Sequence, residues 1–159
     1  MQTRVLVPSG VLGLGFDSDA LARGVAAGPD IIAIDGGSTD SGPFYLGTGT
    51  SKYSRSVCRD EWRQLLEARA AAGVPLVIGS CGTCGTASTV DWMFEITCEL
   101  ATELGQTLRV ARLYSDVPVE ALRHARDADR LTPLHPVQAI DDSALAGMLD
   151  AAGFEPAAP

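Results

Sequence analysis

The sequence predicts an α/β domain, a three-layer Rossmann-like or flavodoxin-like fold with a mainly parallel sheet of four to five strands. Short branched apolar runs alternate with longer amphipathic stretches along the whole chain. Two of the runs, Ile31 to Ile34 and Leu76 to Ile78, are apolar throughout, as strands buried on both faces are. The loops that follow the runs are rich in glycine and hydroxyl side chains, whereas the opposite turns, 27–30 and 72–75, are short.

The first strand is expected over Arg4 to Val7, the second over Ile31 to Ile34 and the third over Leu76 to Ile78. A fourth is expected over Leu108 to Leu113 and a fifth near Leu131 to Leu134. Between the first two, Asp17 to Ala26 places Leu21 and Val25 on one helical face and stops at Gly28-Pro29. Ser56 to Ala72 repeats the device with a stripe of Trp62, Leu65, Leu66 and Ala70, closed by Gly73 and Pro75. Ser88 to Leu104 carries Trp92, Ile96 and Leu100 at helical spacing before Gly105. Val117 to Ala128 and Asp142 to Ala152 are shorter helical stretches. No repeat or linker interrupts the pattern, so one domain over 1–155 is expected, with a frayed tail at 156–159.

Composition narrows the function. The 159 residues are 46% apolar and 20% charged, within the globular range, and a chain of this size buries roughly 70% of its unfolded surface without a metal or disulfide. A net charge of −8 with no basic cluster disfavours nucleic acid and anionic membrane surfaces as partners. The four cysteines do not form the even framework of a small secreted protein, and no apolar run is long enough for a signal or a membrane span. A cytoplasmic protein is the expectation.

In open α/β sheets ligands bind outside the carboxyl ends of the strands. The three loops there are 8–15, 35–43 and 79–86. Glycines let backbone N–H groups approach a ligand, hydroxyls add donors, and nearby helix N-termini favour negative charge. Ser9, Gly10, Gly36, Gly37, Ser38, Thr39, Ser41, Ser80, Gly82 and Thr83 are therefore expected to receive a small carboxylate or phosphate. The competing account is that the glycines only serve tight turns. The first loop reads G-x-x-G-x-G, not the dinucleotide G-x-G-x-x-G, and no P-loop is present, so no cofactor is named.

Asp35 and Asp40 flank the second loop, and one could act as a base while the other is raised by burial or like charge. Asp40 closing an Asx-turn is the plainer account. Lys52, the one lysine of the chain, stands beside Tyr53 in a long connection of the kind that often binds ligands. An anion contact or a proton transfer assisted by Tyr53 on one side, and a solvated surface lysine on the other, are both open. Cys81-Gly-Thr-Cys84 has the spacing of a redox dithiol or half a metal site. Cys98 lies about ten residues into the next helix, on the order of 15 Å away, so Cys58 is the remaining third sulfur. Small-residue packing ranks ahead of a reactive thiol, and a metal last. His124 and His135 have no nucleophile partner at a recognisable spacing.

The strings Val5 to Gly10, Asp30 to Pro43, Tyr45 to Thr50 and Pro75 to Ser80 resemble the N-terminal part of the AtuA-like family of acyclic terpene utilisation, over most of the chain to about Leu113. The resemblance implies a cytoplasmic catabolic protein acting around branched carboxylic acids or their thioesters. Family members are typically much longer, which implies an isolated N-terminal domain or one subunit of a longer enzyme. Relatives often carry Ala or Gly where this chain has Cys81 and Cys84. The leading expectation is a lyase or hydratase domain in which Asp35 or Asp40 moves a proton, Lys52 closes over the ligand and the loops hold a carboxylate or enolate. A non-catalytic binding or regulatory subunit and a thiol or metal protein are the alternatives, with self-association left open.

Overall fold

Ile31–Asp35 is the middle strand (β2) of a parallel sheet, flanked by Val5–Leu6 (β1) and Leu76–Gly79 (β3) in the order β1-β2-β3. The architecture comes from a computed structural model that describes residues 2–37, 43–134, 141–144 and 147. Register runs Val5 to Ile31 and Leu6 to Ile32 on one side, and Ile32 to Leu76 through Asp35 to Gly79 on the other. Parallel neighbours need long crossovers. Ser18–Ala26 (α1) supplies the first; Pro43–Thr48 (α2) and Arg55–Ala72 (α3) supply the second. After β3 a single 3₁₀ turn, Cys81–Thr83, leads into Ala87–Glu103 (α4). The short α2 lies in a stretch where no helix is expected from the sequence.

Capping explains the boundaries. The Asp17 carboxylate accepts the Ala20 N–H at 2.8 Å, and the Ser54 hydroxyl accepts the Val57 N–H at 3.4 Å, so α1 and α3 start with a satisfied first turn. Gly73, left-handed with φ 68°, ends α3. Helix α3 packs on α1, α4 and β3. Its buried face is Cys58, Glu61, Trp62, Leu65, Leu66 and Ala68; Ala70, expected on the stripe, is exposed. Trp62 donates its indole N–H to the Thr97 hydroxyl at 2.9 Å, tying α3 to α4 inside the core.

The strands alternate cleanly. Leu6, Ile32, Ile34, Leu76 and Ile78 join the core, while Val5 and Val77 are 54% and 48% exposed on the other side. Helices α1 and α3 touch each other, so both cover the same side of the sheet. Among the described residues the sheet has three strands, where four to five are expected from the sequence.

Leu108 to Leu113 forms no ladder. Side chains at its end reach α4: Arg112 pairs with Asp91 of α4 at 2.7 Å and lies over the Phe94 ring at 4.4 Å, and the Tyr114 hydroxyl donates to the same carboxylate at 2.8 Å. A mainly apolar cavity of ≈ 640 Å³ is lined by this segment together with β3, α3 and α4. Leu131 to Leu134 is likewise not a strand, with Leu134 exposed.

The chain divides into two compact units, Met1–Tyr114 and Ser115–Pro159. The second contains Val119–Asp127 (α5), near the expected stretch, with no buried residue. Within it Arg126 pairs with Asp127 and Asp142. The expected helix over Asp142 to Ala152 falls largely outside the described residues, and the expected tail 156–159 wholly so.

Loop residues also enter the core. Leu12 is fully buried in the cluster that holds Ile32, Leu65, Ile96 and Leu100. Leu12→Ala is expected to cost about 2–5 kcal/mol. Urea unfolding reads this as a lower midpoint at constant slope; an unchanged midpoint would remove Leu12 from the core.

Candidate functional site

The three glycine-rich loops converge at the carboxyl edge of the sheet, held by their own backbones. In loop 1, residues 8–15, the Leu12 N–H donates to the Asp35 carbonyl at 2.8 Å. In loop 2, which begins at Gly36, the Gly36 N–H donates to the Gly79 carbonyl at 2.6 Å. Loop 3, residues 80–86, returns the Thr83 N–H to the Gly36 carbonyl at 3.2 Å. The Thr83 hydroxyl then accepts the Lys52 backbone N–H at 2.9 Å, joining the long connection to the same cluster. Distant stretches of the sequence thus meet at one edge.

Glycine is demanded there by contact between loops. A Cβ on Gly37 would lie 2.1 Å from the Thr83 Cα and 2.4 Å from its nitrogen, and one on Gly36 would lie 2.6 Å from the Gly79 carbonyl oxygen. Gly82, left-handed at φ 58°, would meet the Thr89 Cβ at 2.7 Å. Gly36, Gly37, Gly82 and Thr83, expected at a ligand surface, are buried and hold loop to loop. Gly10 faces open space. The Ser9 hydroxyl meets the backbone of Val11, at 3.4 Å from its N–H.

Asp35 ends the central strand with its side chain exposed, one carboxylate oxygen accepting the Gly37 N–H at 3.1 Å. Ser38, Thr39, Asp40 and Ser41 lie outside the described residues. The Lys52 side chain is exposed, with its ammonium 5.7 Å from the centre of the Tyr53 ring. That ring fills the space beside Gly13, where a Cβ would come within 2.4 Å of its Cγ. Ser80 is held in the left-handed region at φ 46°, as is Thr83 at φ 83°. Such conformations in residues with a side chain concentrate at functional sites.

Sequence reasoning missed Glu61. It is 6% exposed, and its two carboxylate oxygens accept the Gly13 and Gly15 N–H groups, each at 2.7 Å. The signal was available: Glu61 sits three residues after Cys58 and four before Leu65, a carboxylate in the middle of an apolar stripe. Burial, and then the charge of Glu61, push the neighbouring Cys58 thiol up to about 11.

The Cys81–Cys84 pair divides its surroundings. Cys81 lines the apolar cavity beside β3, and its desolvated thiol is pushed above the ordinary range, the direction of an unreactive sulfur. Cys84 is buried with its sulfur 3.6 Å from the hydroxyls of Thr86 and Thr89. Among the described residues, no three His, Cys, Asp or Glu side chains are grouped to hold a metal ion. His124 lies in α5, in the second unit, and His135 lies outside the described residues.

No family model, curated protein or solved structure matches this chain. Among the described residues no helix is long and apolar enough to cross a membrane.

The contact geometry separates two glycines of the same edge. Gly37→Ala forces backbone apart and is expected to cost at least about 3 kcal/mol, whereas Gly10→Ala stays within about 0.5 kcal/mol of the parent. Thermal and urea unfolding of the two variants check this, and equal stabilities would contradict the packing of loop 2 on loop 3.

Proposed function

We propose that this chain is a domain or subunit of a catabolic enzyme, related to the AtuA-like family, that holds a small hydroxy acid or acyl thioester at the carboxyl edge of the sheet. The reaction is of lyase or hydratase type, and Asp35 moves the proton. One observation carries the reading: Asp35 stands exposed at the end of the central strand, at the meeting point of the loops, with one carboxylate oxygen fixed by the Gly37 N–H. A positioned carboxylate of this kind is a candidate base at a carbon next to a carbonyl. Ser9 and Ser80 with Lys52 and Tyr53 are the described groups assigned to the ligand. Ser38, Thr39, Asp40 and Ser41 join them from the sequence pattern, Asp40 as the second carboxylate.

The finer architecture proposed with this reading is Rossmann-like or flavodoxin-like, with Leu108 to Leu113 as a fourth strand beside β3. Its support is the branched apolar content of that segment, Leu108, Val110 and Leu113, and its position along the cavity that β3 also lines. Slow amide hydrogen exchange across Leu108 to Leu113 is the expected result; exchange as fast as in an open loop would overturn the fourth strand.

A second reading is favoured by the apolar side of the sheet, where Val5, Val7 and Val77 are each about half exposed or more. It is a ligand-binding or regulatory subunit completed by a companion polypeptide or domain. The cytoplasm is the proposed location for either.

Hydrogen exchange at carbon distinguishes the readings. The protein is incubated in heavy water with short 2- and 3-hydroxy acids and their coenzyme A thioesters, and proton loss next to the carbonyl is followed by NMR. Exchange into at least one compound is expected, falling by about 100-fold or more in Asp35→Asn. Exchange that Asp35→Asn leaves untouched would overturn the role of Asp35. Binding without exchange would leave the regulatory reading in its place.

A further inference from the structure

The amides of Gly13 and Gly15 point at one side chain. Each donates at 2.7 Å to a different oxygen of Glu61, which is nearly sealed from solvent at 6% exposure. Both glycines have positive φ, 104° and 83°, and the Tyr53 ring presses on the loop at Gly13. Two converging N–H groups in a turn of this kind make a concavity suited to an anion. We infer that loop 1 is a carboxylate receptor whose occupant is supplied by the chain itself, the Glu61 side chain.

Charged acceptors make the strongest hydrogen bonds to backbone amides, and a buried carboxylate without them is strongly unfavourable. Loop 1 and Glu61 therefore fix each other. The arrangement also bears on specificity. A ligand anion placed against loop 1 would find these two donors taken and a negative charge behind them. Glu61 is nearly sealed from solvent and its oxygens hold loop 1, so its place here is that of a positioning residue. The inference goes beyond the role proposed for Asp35, because no proton transfer enters it.

Chemical rescue tests it. Glu61→Ala removes the occupant and leaves room for a small carboxylate. In chloride the variant is expected to melt several degrees below the parent protein. Replacing chloride by formate at about 0.2 M is expected to restore half or more of that loss, with saturation, as binding to the folded state requires. The parent, whose loop 1 is already occupied by Glu61, gains clearly less from formate than the variant does. Formate should also move the Gly13 and Gly15 amide resonances of the variant. An equal response to formate and chloride in Glu61→Ala, or an equal formate response in the parent, would overturn the inference.

Should Glu61→Ala fail to fold, amide exchange in the parent decides. Gly13 and Gly15 are expected to exchange at least about 100-fold more slowly than Gly10, and rates equal to Gly10 would overturn the receptor. None of these readings uses turnover, so they stand or fall apart from Asp35.

Discussion

Close backbone approach at the carboxyl edge is the constraint on which the rest of this structure depends. The ladder between β2 and β3 does not stop at Asp35 and Gly79; it continues through Gly36 to the Gly79 carbonyl and from Thr83 back to Gly36. Strand pairing thus runs into loop pairing without a break. Side chains at Gly36 and Gly37 would occupy the space that Gly79 and Thr83 fill, so the register of the sheet and the position of the loops are one property. A shift in either would leave buried N–H groups without partners.

The sheet's central strand and the helices around it were legible because their residues obey local rules. Ile31 to Ile34 is apolar throughout, and α3 is bracketed by Ser54 at its start and Gly73 at its end, two signals that act within a few residues. The sheet edge was less legible. Leu108 to Leu113 has a strand's composition, yet Arg112 finds Asp91 and the Phe94 ring on α4, contacts that depend on tertiary placement. Local preference does not decide between those partners and a fourth ladder.

The site shows the same division. Convergence of the three loops followed from parallel topology, which brings successive strand ends to one edge. What the loop amides do there did not follow. Glycine and hydroxyl content fits either a ligand receptor or loops that bind each other, and the choice rests on which acceptors lie opposite. At loop 1 the acceptor is Glu61, forty-six residues from Gly15. Its place between Cys58, Trp62 and Leu65 carried the clue, since a carboxylate on a core-facing stripe requires donors from another element.

The left-handed Ser80 and Thr83 follow from the same geometry. Within four residues of leaving β3 the chain must send the Thr83 N–H to Gly36 and the Thr83 hydroxyl to the Lys52 amide, then start α4 at Ala87. Helical or extended backbone alone reverses too slowly for this, so residues with side chains take up positive φ at a cost of about 1–2 kcal/mol each. The hydrogen bonds of Thr83 offset that cost, and its nearly complete burial, at 1% exposure, protects them from water. Strain and hydrogen bonding in loop 3 are therefore two sides of one closure. That closure holds Asp35 beside a backbone surface set by loops 1, 2 and 3.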